Sequence, residues 1–237
     1  KKIKKYQLSH EKFKKLKKYA STKNLIFLST PFDISSAKYL NKIIPAFKIS
    51  SGDINFFPMI EFISKTKKPI ILSTGISSFQ QIKDTLKYIQ KFRRLDNVAL
   101  LHCMSLYPTP IDNANLNTIH MLKEISKYVG YSDHTLGIDA CNAAVAMGAR
   151  IIEKHFTIDN SYSDFRDHKI SSDPSEFNKL IKSIRLTEKL ISINNTKKIL
   201  NFKNIQRSIV SRYDLGIGTI IANKHLAWVR PGTGIRP

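Results

Sequence analysis

The sequence of 237 residues has only two cysteines, Cys103 and Cys141, and a single tryptophan. Both cysteines stand inside apolar segments and lack metal-ligand spacing, so buried, reduced thiols of a cytoplasmic protein are expected. Long apolar runs are missing too. No window approaches the roughly 18 uninterrupted apolar residues that a membrane span needs. The start, KKIKKYQLSH, is basic but has none of the apolar stretch that marks a secretory signal. Acidic residues are scarce, 18 against 39 Lys and Arg, which leaves a formal net charge of +21. Such a charge invites a nucleic-acid-binding reading. However, the lysines are spread along polar helix faces and no recognisable reading module accompanies them. A compositional bias in a sequence also rich in Ile and Asn is the better account. Neither nucleic acid nor membrane is expected as a partner, although a positive field can gather a small anionic substrate.

What the chain does have is a series of short apolar runs, each followed by a helical pattern. The runs are LIFLST (25–30), AFKIS (46–50), PIILST (69–74), VALLHC (98–103), YVGYSDH (128–134) and RIIEKHF (150–156). They are continuous rather than alternating, which predicts parallel strands covered on both faces. Between them, Phe13, Leu16 and Ala20 form a stripe behind a candidate N-cap, Ser9. Ile82, Leu86 and Ile89 follow Ser77 and Ser78, and Leu116, Ile119, Leu122 and Ile125 make a third stripe. Asp173 and Pro174 open the longest predicted helix, with Phe177, Leu180, Ile181, Ile184 and Ile191 facing inward.

Six strand-helix units imply either an open doubly wound sheet or a TIM (β/α)₈ barrel. Polar residues favour the barrel. They cluster at the C-terminal end of nearly every run: Ser29 and Thr30, Lys48 and Ser51, Ser73 and Thr74, His102 and Ser105, Ser132 to His134, and His155. In a barrel all those ends converge on one mouth. Eight strands are needed and six are read, so the barrel is expected to be incomplete, lacking two units at its start. Residues 1–192 form this partial barrel, 193–206 a polar linker, and 207–237 the start of a small β-rich domain with a Pro-Gly-Thr-Gly loop.

The ring of Thr30, Lys48, Ser51, Ser73, Ser105 and Ser132 suits a phosphate or phosphoenol ester, with the lysine as cationic donor. Each hydroxyl taken singly is as well explained as a helix cap. His134 and His155, on consecutive strand ends, suit a divalent cation with open coordination positions, Mn²⁺ or Mg²⁺ rather than structural zinc. Structural histidines bonded to carbonyls are the plainer alternative. His102 and Cys103 are neighbours on a strand, so their side chains diverge, and Cys103 is read as core packing. DFRDHKISSDP (164–174) reads as a polar loop from which Asp167 and His168 reach over the mouth.

FLSTPFD, FKISSGD, PIILSTG, LLHCMSLYPTP, GYSDHTLG, IIEKHFT and RDHKIS occur in that order. This set resembles the N-acetylneuraminate (sialic acid) synthase family, which includes legionaminate and pseudaminate synthases. The tail, RSIV to VRPGTGI, resembles the start of that family's C-terminal SAF, or antifreeze-like, domain. Members condense phosphoenolpyruvate (PEP) with an N-acetylmannosamine-type amino sugar, giving a nine-carbon keto acid and phosphate with the help of a divalent metal. The resemblance implies that Thr30, Lys48, Ser51, Ser73, Ser105 and Ser132 hold PEP and that His134 and His155 hold the metal. It assigns Tyr107 and Asp167 to the sugar. Arg230 would reach the partner subunit's active site in a homodimer that exchanges its small domains. This sequence departs from the family in lacking the first two barrel strands, with their acidic residue and lysine. Arg166 stands where many members have Pro, Ser50 where Gly is common, and Asp53 where Glu is common. A fragment short at both ends, inactive by itself, is therefore expected. The rival is another metal-dependent PEP or aldol condensing enzyme on the same barrel, of the 3-deoxy-heptulosonate synthase type.

Overall fold

The computed structural model describes residues 7–163, 166–192, 206–230 and 235. The chain divides into two units, residues 1–191 and 192–237. In the first unit five strands form one sheet: β1 (Phe47–Ile49), β2 (Ile70–Ser73), β3 (Val98–Cys103), β4 (Tyr128–Asp133) and β5 (Ile152–Lys154). All four pairings are parallel, and each strand lies beside the next one in sequence. A doubly wound sheet reverses its order at a switch point. This one never does, and helices follow its strands, which is the winding of a TIM barrel. Five strands make an incomplete barrel.

The register sorts every strand into two rows. Phe47, Ile49, Ile70, Leu72, Val98, Leu100, Val129, Tyr131 and Ile152 share one row. These side chains join the main hydrophobic cluster with Met59, Ile60, Ile63, Ile89 and Ile119 from the covering helices. The opposite row carries Lys48, Ser73, Cys103, Ser132 and Glu153. Alternation along a strand therefore separates a packing face from a chemical face. Gly130 lies on the chemical face, and a Cβ there would fall 2.4 Å from the Ile151 carbonyl oxygen. Only glycine lets β4 approach its neighbour so closely.

The helices are α1 (His10–Thr22), α2 (Ile34–Leu40), α3 (Phe57–Lys65), α4 (Phe79–Gln90), α5 (Thr118–Lys123), α6 (Asp139–Ala146), α7 (Arg166–Ile170) and α8 (Pro174–Ile191). Local chemistry explains several starts. Ser9 caps α1, accepting from the Lys12 amide at 3.4 Å. Ser78 and Gln81 form a reciprocal capping box on α4. The Asp173 carboxylate accepts the Glu176 amide at 2.8 Å, with Pro174 in the first turn of α8.

Three expectations need correction. LIFLST is not a strand: residues 25–30 join no ladder, and Leu25 and Ile26 are exposed. A strand needs a neighbour for its N–H and C=O groups, and apolar composition does not supply one. Only Phe27 of this run packs inward, against Phe13. The inward stripe of α8 is also reduced. Leu180 alone is buried, whereas Ile181 and Ile191 are exposed along a cavity of about 660 Å³ shared with Val129, Val145 and Ile152. Finally, the polar loop expected over 164–174 contains the single helical turn α7, while 164 and 165 lie outside the described residues.

In the second unit β6 (Ser208–Ser211) pairs antiparallel with β7 (Leu226–Val229), and Ile209 bridges to Ile235. A short 3₁₀ turn, Asn223–His225, leads into β7 and buries the His225 ring. The expected linker, except for its last residue, and the Pro-Gly-Thr-Gly loop lie outside the described residues.

Candidate active site

The chemical face converges at its C-terminal end. Lys48 Nζ donates to Ser73 Oγ at 2.8 Å and lies 3.3 Å from Glu153 Oε1. Ser132 Oγ donates to the same carboxylate oxygen at 2.6 Å. Side chains from β1, β2, β4 and β5 are thus joined in one network across the row. Just beyond, the Gly75 amide donates to Ser51 Oγ at 3.0 Å, and Ser51 Oγ lies 3.2 Å from Cys103 Sγ. A Cβ on Gly75 would fall 2.5 Å from Cys103 Sγ and 2.9 Å from Ser105 Oγ. Gly75 thus lets its turn pack directly on Cys103 and Ser105. An ammonium and several hydroxyls gathered at one end of the strands make a cradle suited to an oxyanion.

Beside the cradle the two histidines come together. The ring centroids of His134 and His155 are 5.3 Å apart, and Tyr107 lies 4.3 Å from the first and 6.1 Å from the second. His134 Nδ1 is 2.7 Å from the Met104 carbonyl oxygen. A carbonyl can only accept, so Nδ1 carries a proton and Nε2 is the ring nitrogen left to face a ligand. Burial holds the His155 ring below its usual pKa, the nearby His134 works the same way, and Asp167 and Glu153 oppose the shift more weakly. The two rings thus bring imidazole nitrogens together at one point, as a cation site needs. Among the described residues no group of three or more His, Cys, Asp or Glu is gathered tightly enough to hold a metal ion. The donor set fits an open divalent site completed by water or substrate, and does not fit a closed structural zinc.

The structure does not bring every expected residue into this cluster. Thr30 lies in the segment that joins no ladder, and among the described residues no hydrogen bond ties it to Lys48 or the serines. His102 turns away from the mouth, with Nε2 2.7 Å from the Ala114 carbonyl, and burial lowers its pKa. Its neighbour Cys103 is buried as expected, but it lies on the chemical face against Ser51 instead of in the helix-packed core. Asp167 stands on α7 close enough to influence His155, and His168 Nδ1 meets Thr157 Oγ1 at 2.8 Å. Arg230 directly follows β7 in the second unit and is exposed there.

Two features escaped the sequence reading. Glu153 ties Lys48 to Ser132, and its two-residue spacing from His155 was a usable sign that both share a face. The second is a buried ion pair, Lys154 Nζ to Asp133 Oδ2 at 2.7 Å, on the opposite side of the same strands.

A family model described as the NeuB family matches residues 1–196. The N,N'-diacetyllegionaminic acid synthase of Campylobacter jejuni is 39% identical over 241 residues, covering 98% of this chain and 72% of that protein. The enzyme of the same name from Legionella pneumophila is 38% identical over 244 residues, covering 99% of this chain and 68% of that protein. The crystal structure of N-acetylneuraminic acid (sialic acid) synthetase from Leptospira borgpetersenii, in complex with citrate, matches with a TM-score of 0.77 and 33% identity. That match covers 83% of this chain and 68% of the other. With the model spanning most of its length and relatives this similar over nearly all of it, the chain belongs to the NeuB family.

Proposed function

We propose that the protein condenses PEP with an N-acetylated amino sugar of the N-acetylmannosamine type, giving a sialic-acid-like nonulosonic acid and phosphate. The observation that carries this reading is the cluster of Lys48, Ser51, Ser73 and Ser132 at one strand end beside the His134–His155 pair. Lys48 and the serines hold the phosphate and carboxylate of PEP, with Ser105 beside them and Thr30 joining from its segment. Incoming phosphate competes with Glu153 for Lys48 and Ser132, and the freed carboxylate can then accept a proton at the reacting end. Tyr107 and Asp167 face the amino sugar. His134 and His155 hold one Mn²⁺ or Mg²⁺, which when bound polarises the sugar's aldehyde oxygen. C3 of PEP bonds to the aldehyde carbon, whose oxygen takes a proton. Water adds at C2, and the C2–O bond to phosphate breaks. Residues 207–237 open a SAF domain, and Arg230 acts on the barrel mouth of the second subunit of a homodimer.

The test is phosphate release by the full-length protein from PEP with a panel of hexosamines, run in ¹⁸O-water. Expected is release that depends on an N-acetylated sugar and on a divalent metal, with the label in the keto acid and none in the phosphate. Turnover with a phosphorylated tetrose in place of the amino sugar would transfer the assignment to the 3-deoxy-heptulosonate type. No turnover with any sugar would end the proposal.

A further inference from the structure

Behind the histidines lies a second network that the proposed chemistry does not use. Asp133 is fully buried, and all its contacts are internal. Oδ2 accepts from Lys154 Nζ at 2.7 Å and from Cys141 Sγ on α6 at 3.2 Å. Oδ1 accepts from Tyr131 Oη at 3.0 Å and from the Thr135 amide at 2.8 Å. Lys154 Nζ makes a further bond, to the Thr135 carbonyl at 2.6 Å. The side chains of this ion pair are 1% and 0% exposed. It lies on the packing face, so neither substrate nor solvent reaches it from the mouth.

Its connectivity is informative. Lys154 grips residues 133 and 135, which flank His134, and Lys154 itself immediately precedes His155. The ladder between β4 and β5 ends at the Asp133–Lys154 pairing. Past that point the Lys154–Thr135 bond is what joins the two chain ends where the imidazoles begin. A buried ion pair gives little net stability over well-packed apolar residues, because desolvation cancels most of the attraction, and registry is its best-attested use. We propose that Lys154 is a positioning residue: through Asp133 and the Thr135 carbonyl it sets the His134 ring against the His155 ring. The inference rests on the reading of these two histidines as a divalent-cation pair.

The test is Mn²⁺ binding to the full-length protein without substrate, followed by electron paramagnetic resonance of the free ion. Lys154→Met removes the grip at similar volume and should raise the Mn²⁺ Kd tenfold or more at a temperature where circular dichroism shows the protein folded. Lys154→Arg, which can still bridge the two oxygens, should recover most of the affinity. Tyr131→Phe, which removes one donor to Asp133 and keeps the packed ring, should raise Kd two- to fivefold and serves if Lys154→Met does not fold. Wild-type Kd in folded Lys154→Met, or in Tyr131→Phe when Lys154→Met is unfolded, overturns the inference and leaves the histidine reading standing. Failure of the wild type itself to bind Mn²⁺ removes that reading and this inference with it.

Discussion

Two lysine-carboxylate pairs meet at β5, through Glu153 and Lys154, and occupy opposite faces of the sheet. Lys48 and Glu153 lie on the chemical face at 3.3 Å, with side chains 12% and 43% exposed. Lys154 and Asp133 lie on the packing face at 2.7 Å and see no solvent. The chemistry is the same, and the parity of the residue along its strand decides which side it faces. On the open side Glu153 occupies a lysine that a ligand can claim, because water and an incoming anion both compete there. On the packing face both side chains are all but out of solvent, and internal donors surround the carboxylate. The contrast separates a partly open site from a buried one in two residues that are neighbours in sequence, Glu153 and Lys154.

The largest effect should come from breaking the sealed pair. Removing one partner leaves the other charged and buried, at a cost of about 3–5 kcal/mol. For Lys154→Met that corresponds to a fall in Tm on the order of 6–20 °C, given about 2–4 °C per kcal/mol in a chain of this size. The double change Lys154→Met with Asp133→Leu should recover much of it, since it leaves no unpaired charge. Calorimetry of the three proteins checks this. A fall of less than about 1 kcal/mol in the single variant would mean that the pair behaves like an exposed one.

The open pair should show the reverse pattern. Lys48→Ala leaves Glu153 half-exposed and still bonded to Ser132, so stability should change by no more than about 1 kcal/mol. PEP binding loses a charge-assisted contact of about 1.5–3 kcal/mol, a weakening of roughly tenfold or more. Titration calorimetry with PEP, set beside a melting curve, reads both. Unchanged affinity with a large loss of stability would exchange the roles of the two pairs.

How much of this was legible in the sequence follows the same division. β3 was readable to the residue, because VALLHC is apolar but for His102 and buried throughout. Ser9, Ser78 and Asp173 announced helix starts by capping chemistry that acts within four residues. α2 and α3 were missed. At seven and nine residues they are too short for a periodic stripe, although the Asp33 cap and Pro58 in the first turn were visible signs. Residues 25–30 were misread because strand identity depends on a neighbour. Lys48, Ser73, Ser132, His134 and His155 were singled out because each stands at the end of an apolar run, which is a local property, and the structure places them at one end of the sheet. The Asp133–Lys154 pair depends on the register between two strands, and no local pattern encodes that register. Cys103 was assigned to the core for a related reason: alternation shows that it opposes His102 but not which of the two faces the mouth.

The smallest effect belongs to a third pair, which sharpens the comparison from its exposed end. Arg185 Nη1 and Glu188 Oε2 lie 2.8 Å apart on α8, with side chains 68% and 48% exposed. The distance is close to that of the sealed pair, so length alone predicts equal worth. Solvation predicts otherwise. Water screens both charges, and holding two long side chains together costs rotamer entropy, so such pairs contribute about 0.2–0.5 kcal/mol. Position lowers the figure further. Glu188 sits in the last turn of α8, where the helix dipole disfavours a negative charge. Against that, a chain of net charge +21 gains from keeping each of its few carboxylates. These opposing terms are each a few tenths of a kcal/mol, so Glu188→Gln should move Tm by no more than about 2 °C in either direction. The shift should shrink further at 1 M salt, where the Debye length is about 3 Å. Melting curves at low and high salt measure it. A loss above about 1 kcal/mol, unaffected by salt, would show that burial is not what ranks the three pairs.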